Sequence, residues 1–155
     1  MRNNGYLYSS ISLFVGLLLQ ITPIIGPLVY WRPQFLLMFV IYWLLRSPSQ
    51  YGIGFAWLSG MILDIFAGEM LGRYAIAFSF CAYILILLSK RLQHFGIKHQ
   101  AFLILFIVFL NQLLTISISL LYRASWDTTL MIAPAITSAF LWPILSISLN
   151  KMIKK

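Results

Sequence analysis

The stretch RPQFLLMFVIYWLLRSPSQYGIGFAWLSGMILDIFAGEMLG, residues 32 to 72, sets the pattern for the whole chain. It consists of two apolar segments separated by a short polar turn. The second segment carries Gly52, Ala56 and Gly60 at every fourth position, which places them on one face of a helix. We expect a neighbouring helix to approach the backbone closely along this small-residue stripe. Asp64 continues the same face, and because a carboxylate is costly beside lipid, we expect it to face protein or water.

Composition identifies the class of protein. The chain has 155 residues, of which 61% are hydrophobic and 9% are charged, whereas a soluble domain carries about 25% charged residues. We therefore predict an all-α integral membrane protein with one domain over residues 1–155 and six transmembrane helices. The predicted spans are residues 6–25, 33–45 (extendable to 30–46), 52–66, 74–88, 101–122 and 128–149.

The second and third predicted spans are short, at about 20–25 Å each. They could cross a locally thinned bilayer, or they could form a re-entrant hairpin whose tip stays inside the membrane. The hairpin would place Arg46 near the middle of the membrane, at a cost of at least about 2.5–3.5 kcal/mol. Full crossing is the favoured interpretation.

The distribution of basic residues predicts the orientation. If the termini and the alternate loops lie on one side, that side holds eight of the eleven Lys and Arg residues, namely Arg2, Arg46, Lys90, Arg91, Lys98, Lys151, Lys154 and Lys155. The other side holds Arg32, Arg73 and Arg123. Because basic residues concentrate in cytoplasmic loops, we expect both termini in the cytoplasm.

The sequence offers little catalytic chemistry. His94 and His99 share a basic loop without a neighbouring cysteine or carboxylate, and Cys81 lies within a predicted span. No glycine-rich phosphate loop with its lysine is present. We therefore expect no enzyme activity, no metal and no cofactor, and the net charge of +8 does not indicate nucleic-acid binding once the spans are removed.

Four polar residues fall within predicted spans: Gln20, Asp64, Asn111 and Gln112. Hydrogen bonding between helices is the favoured role, and a proton or substrate path is the alternative. Because the second and third spans run antiparallel, Arg32 lies level with the end of the third span. We expect Asp64 to pair with Arg32, directly or through water, near the outer surface, with Arg73 as the competing partner.

An ordered set of motifs resembles the MreD family of membrane proteins from the bacterial rod-shape machinery. The resemblance covers essentially the whole chain, in length, span count and motif order. Its residues are Leu18-Leu19-Gln20-Ile21, Pro23, Arg32-Pro33, Tyr42-Trp43, Pro48, Gly54, Gly60, Asp64, Gly68, Leu71-Gly72 and Leu141-Trp142-Pro143.

This resemblance implies a non-enzymatic partner of the single-span protein MreC. The two would act with MreB filaments, the glycosyltransferase RodA and the elongation transpeptidase in lateral peptidoglycan synthesis. We expect the small-residue stripe to be the face that could admit a partner helix. The structural and partner candidates are Arg32, Pro33, Tyr42, Trp43, Pro48, Gly52, Ala56, Gly60, Asp64, Gly68, Gly72, Trp142 and Pro143.

The family is also similar in fold to the six-helix substrate-binding subunits of energy-coupling-factor vitamin transporters. A vitamin-binding transport subunit is therefore the alternative function. Those subunits resemble one another in an Ala-x-x-x-Ala first helix, whereas ISLFVGLLLQITP, residues 11 to 23, contains no alanine. A transporter of lipid or peptidoglycan precursors is less favoured, because the predicted membrane interior has almost no charge to bind a pyrophosphate.

Overall fold

The structure is a computed structural model that describes residues 2–23, 26, 31–68, 70–92, 96–121 and 132–153. Within these ranges the chain forms six α-helices and no β-strand. The helices are α1 Arg2–Ile21, α2 Phe35–Arg46, α3 Ile53–Ala67, α4 Arg73–Leu92, α5 Ile97–Leu121 and α6 Ala133–Ile153. Each helix coincides with a predicted apolar segment, which confirms the all-helical class and the number of helices.

The helix bounds differ from the predicted spans mainly where polar residues begin. α1 starts at Arg2 rather than at residue 6, and α4 continues to Leu92 rather than ending at residue 88. The predicted bounds followed hydrophobicity, whereas a helix satisfies its own backbone hydrogen bonds and can continue into polar sequence. Residues 24–25, 122 and 128–131 of the predicted spans lie outside the described residues.

Two of the helices are long and apolar enough to cross a membrane, over His99–Leu121 in α5 and Ala133–Met152 in α6. The apolar parts of the other four helices are shorter. These parts are Gly5–Ile21, Phe35–Arg46, Ile53–Ala67 and Arg73–Leu88. Crossing by all six helices, and the orientation of the termini, remain predictions.

α2 is the central helix of the fold. All nine residues from Leu36 to Leu44 are buried, with none more than 7% exposed. A helix that is apolar on every side is typically buried on every side. The first half of the stretch that opens the sequence analysis thus forms the centre on which the other helices pack.

Side-chain contacts define two ends of the bundle. At the end that we call the Arg32 end, Arg32 reaches the end of α1 and Gln34 reaches Ser138 near the start of α6. At the opposite end, called the Arg46 end, Arg46 hydrogen-bonds Asn150 near the end of α6. α2 and α6 therefore run in the same direction, and α1 runs antiparallel to both.

The small-residue stripe contacts α4 at Gly60. A methyl group placed on Gly60 would lie 2.6 Å from the Cα atom of Ala75, and Ala56 is fully buried. The predicted close approach of a neighbouring helix is therefore present, and the neighbour is a helix of the chain itself. The expectation that this stripe is the face open to a partner helix was wrong at Gly60, because α4 already occupies it, and at Ala56, because that residue is fully buried.

Candidate functional site

Asp64 is fully buried near the end of α3, and its carboxylate binds the first turn of α4. Oδ2 accepts hydrogen bonds from the backbone N–H groups of Gly72 and Ala75, at 2.9 and 3.2 Å. Oδ1 accepts one from the N–H group of Tyr74 at 3.0 Å. The first N–H groups of a helix have no partner within the helix, and the helix dipole favours negative charge beside them. Asp64 therefore caps α4 from the neighbouring helix.

Arg32 has a different partner from the one predicted. Its Nη2 donates hydrogen bonds to the backbone carbonyls of Leu19 and Thr22, at 2.9 and 2.8 Å. The carbonyl of Leu19 would normally accept from the N–H group four residues later, but that residue is Pro23, which has none. Partial burial lowers the pKa of Arg32, although arginine still carries its charge at neutral pH. Arg32 and Asp64 form no direct ion pair, so the direct form of the predicted pairing was wrong; each side chain satisfies the end of a helix instead.

Arg73, the competing partner in that prediction, connects α4 to α5. Its side chain is buried, and Nη1 donates a hydrogen bond to Ser119 Oγ at 3.2 Å. The guanidinium carbon lies 4.6 Å from the centre of the Tyr74 ring, within the range of a cation–π contact. The charged residues of this end thus bind helix ends and neighbouring helices.

At the Arg46 end, the motif residues Tyr42 and Trp43 fix α2 to its neighbours. The hydroxyl of Tyr42 and Nη1 of Arg46 both donate to Oδ1 of Asn150, at 2.9 and 2.7 Å. Trp43 Nε1 donates to Ser12 Oγ on α1 at 2.7 Å. These bonds tie α2 to α6 on one side and to α1 on the other.

The remaining motif positions lie mostly at turns and helix ends. Gly68 ends α3 in a left-handed conformation, with φ of 66°, and Gly72 has φ of 97° in the turn before α4. Pro48 lies in the turn between α2 and α3, and Gly52 is the residue before α3. Three further candidates remain. Pro33 precedes α2, Trp142 is buried in α6, and Pro143 lies inside α6, which continues on both sides of it.

An apolar groove runs between α1 and α6, with α2 as its floor. We call it the α1–α6 groove; its volume is about 390 Å³. Phe35, Phe39 and Trp43 contribute the floor, while its α1 wall extends from Tyr8 to Leu19 and its α6 wall from Leu141 to Met152. At 1.5 Å per residue, each wall is roughly 16 Å long. The groove is therefore elongated along the helices.

A second, polar cavity lies at the Arg32 end, with a volume of about 410 Å³. We call it the polar cavity. Residues of all six helices or their adjoining turns contribute to its wall, and its polar members are Gln20, Arg32, Gln34, Tyr74, Gln112 and Thr115. Two of the four intramembrane polar residues singled out in the sequence, Gln20 and Gln112, thus meet here.

Asn111, the third, lies behind the polar cavity. It is fully buried, and its Nδ2 donates a hydrogen bond to Gln34 Oε1 at 2.6 Å. Within the described ranges Asn111 Oδ1, Gln20 Oε1 and Arg32 Nε are buried and have no hydrogen-bond partner. Buried polar atoms are normally paired, so these three require an explanation.

Gln34 and Asn150 are functional candidates that the sequence analysis missed. Gln34 is a single polar residue between Pro33 and the apolar run of α2. Asn150 lies among the polar residues near the end of α6. The signal that could have found Gln34 is its position as the only polar residue between Pro33 and Arg46 apart from Tyr42 and Trp43. Its partner Asn111 is 77 positions away in sequence, and no local pattern indicates that pairing.

The described part of the chain contains no group of three His, Cys, Asp or Glu side chains arranged to hold a metal ion. His94 lies outside the described residues, and Cys81 is buried in α4.

Comparison with known proteins gives a consistent result. The family model described as rod shape-determining protein MreD matches residues 1–152. The Rod shape-determining protein MreD of Haemophilus influenzae is 27% identical over 124 residues, which cover 80% of this chain and 76% of that protein. No solved structure gives a significant match.

Proposed function

The chain belongs to the MreD family of rod shape-determining proteins, and from this premise we propose that it is a non-enzymatic subunit of the bacterial rod-shape machinery. In this proposal it lies in the inner membrane with both termini in the cytoplasm, and it binds an MreC-like single-span protein. Through that partner it supports lateral peptidoglycan synthesis by MreB, RodA and the elongation transpeptidase. The observation that carries the proposal is the family match over residues 1–152.

The use of polar side chains supports a scaffold role. Asp64 and Arg32 satisfy the ends of helices, and Asn150 and Ser12 hold α2 between α6 and α1. These contacts fix the positions of helices relative to one another. A protein that presents a rigid set of helix faces to partners needs this arrangement.

The α1–α6 groove is the surface that we propose for the partner helix, in place of the small-residue stripe. Its walls are roughly 16 Å long, and a single-span helix also presents an elongated apolar surface. Van der Waals packing is a main source of helix association in lipid, so a concave apolar groove offers more contact than a flat face. Val15 and Leu145 lie on its walls and would contact such a helix.

A complementation experiment tests this function. Depletion should turn rod-shaped cells round, and the unaltered chain should restore their width and co-purify with a single-span partner identified by mass spectrometry. Val15→Trp, which fills the groove, should reduce both cell-width rescue and co-purification. The matched control is Leu18→Trp on the same helix, where the side chain is 51% exposed and outside the groove.

The result can also contradict the proposal. If Val15→Trp and Leu18→Trp behave alike, the partner does not occupy the groove. If depletion leaves cell shape unchanged and the purified protein binds a vitamin with nanomolar affinity, the vitamin-transport alternative replaces the scaffold proposal.

A further inference from the structure

The polar cavity has no role in the scaffold function, yet it has the size and lining of a binding site. Its volume of about 410 Å³ lies in the range of small-molecule sites, which combine apolar walls with a few convergent polar groups. Here Leu63, Phe66 and Pro134 supply apolar surface, and Arg32 with the glutamines supplies the polar groups. Such a cavity differs from the α1–α6 groove, whose wall is almost entirely apolar.

The charge of the wall indicates the kind of group that would bind. Arg32 contributes a positive charge, and no carboxylate is among the described residues that line the cavity. An arginine guanidinium favours oxyanions such as phosphate, because its planar N–H groups match their oxygen geometry. Two N–H donors of Arg32 already hold α1 through Nη2, and Nε is enclosed by the protein, so Nη1 is the group that can donate to a ligand.

The amide groups add a second requirement. Because Asn111 occupies Oε1 of Gln34, the amide nitrogen is the end of Gln34 that remains to donate to a ligand. Gln20 Oε1 is enclosed by the protein, so the amide nitrogen is also the end of Gln20 that can donate to a ligand. A ligand that satisfies the wall therefore needs acceptor oxygens for Arg32, Gln34 and Gln20.

We propose that the polar cavity binds an oxyanion, the chemistry of a phosphate ester. Two sources share this chemistry: soluble glycerol 3-phosphate, and the glycerol phosphate headgroup of phosphatidylglycerol. The cavity lies at the Arg32 end of the bundle. Binding depends on the residues of the cavity and does not depend on the partner groove.

Binding to the purified full chain tests the proposal in two arms. The first arm measures the thermal stability of the protein in detergent with glycerol 3-phosphate, against glycerol and against chloride at equal ionic strength. The second arm compares nanodiscs containing phosphatidylglycerol with nanodiscs of phosphatidylcholine alone. We expect saturable stabilisation in at least one arm. Stabilisation by glycerol 3-phosphate indicates a soluble ligand, and stabilisation by phosphatidylglycerol alone indicates a lipid ligand.

Variants assign the binding to the cavity. Gln112→Leu should weaken the apparent affinity about two- to tenfold, the usual effect of one hydrogen bond. Arg32→Gln should weaken it about tenfold or more, because a charged donor is lost. Since Arg32 also holds α1, the Gln112 variant provides the test if Arg32→Gln does not fold. Gln50→Leu, in the turn at the Arg46 end, is the control and should bind normally.

Two results would overturn the proposal. One is the absence of stabilisation in both arms with the unaltered chain. The other is stabilisation that persists unchanged in Gln112→Leu, since the ligand would then bind elsewhere. Neither result bears on cell shape or partner co-purification, so a failure here is distinguishable from a failure of the scaffold proposal.

Discussion

Asp64 replaces missing hydrogen-bond partners at the start of a helix to which it does not belong. Its carboxylate accepts three hydrogen bonds, from the backbone N–H groups of Gly72, Tyr74 and Ala75. Because Asp64 is fully buried, those groups would have no water to bind without it, so the cost of losing the carboxylate should exceed that of an exposed cap. A single acidic residue of α3 thus holds the start of α4.

Substitution of Asp64 should measure this effect. Asp64→Leu leaves buried N–H groups unsatisfied, at about 1–3 kcal/mol each, and should strongly reduce the folded yield and the melting temperature in detergent. Asp64→Asn retains one acceptor oxygen and should lie between Leu and the unaltered chain. Size-exclusion chromatography after heating gives both quantities.

A double-mutant cycle with Arg32 separates the cap from an ion pair. If Asp64 and Arg32 act on different helix ends, the effects of Asp64→Asn and Arg32→Gln should add to within about 0.5 kcal/mol. The charge swap, Asp64→Arg with Arg32→Asp, should then recover no stability. Recovery of stability in the swap would restore the pairing that the sequence predicts.

The sequence predicted that Asp64 and Arg32 pair, whereas in the structure each side chain binds backbone groups at a different helix end. Depth in the membrane placed Asp64 and Arg32 at the same level, and opposite charges at one level predict a pair. Backbone groups at helix ends compete for the same side chains, and their positions depend on where each helix ends and on how it turns. For Arg32 the competing signal was visible in the sequence, because Pro23 cannot donate to Leu19. For Asp64 the glycines at 68 and 72 indicated a turn without indicating its path.

At the scale of the element, α3 and α4 are held together by backbone proximity. Gly60 faces the backbone of Tyr74 and Ala75, where a side chain has no space. Gly54 lies in the same helix, but a methyl group there would meet nothing within 4 Å. These two glycines therefore share a helix and differ in their contact with α4.

Opposite effects are expected from one substitution at these two positions. Gly60→Ala should lower the melting temperature, because inserting a methyl group against a packed backbone typically costs about 1–3 kcal/mol. Gly54→Ala should leave it unchanged or raise it, since alanine favours a helix by about 0.5–1 kcal/mol over glycine. Thermal unfolding of the two variants in one detergent gives the comparison. Equal destabilisation by both would show that α4 does not pack on Gly60 in the folded protein.

The pattern of small residues predicted a close helix contact, and the structure contains it. The pattern could not specify which helix makes the contact, because the spacing of Gly52, Ala56 and Gly60 describes only one of the two surfaces. α4 follows α3 after a turn of a few residues, so the nearest available helix belongs to the same chain. The α1–α6 groove, in contrast, could not be predicted from any single segment, because it depends on the relative placement of three helices.

The whole molecule has two chemically different ends. The Arg32 end combines the capping residues with the polar cavity, whereas the Arg46 end carries Arg46 and the end of α6 with Lys151. Contacts of α2 with α1 and α6 define these two ends. The orientation of the protein in the membrane, in contrast, is a prediction from the distribution of Lys and Arg.

Topology reporters test that direction. Because eight of the eleven basic residues lie on one predicted side, reporters active in the cytoplasm should work at Lys155 and within residues 93–96, and reporters active in the periplasm should work at Glu69 and Ser125. A periplasmic signal from residues 93–96 would contradict the arrangement with six crossings. A reporter at Ser49 addresses α2 and α3 separately: a cytoplasmic signal agrees with two full crossings, whose short apolar lengths would then require a thinner bilayer around them. A periplasmic signal at Ser49 alone would contradict both the full crossings and the simple hairpin, and would require these two helices to be rearranged.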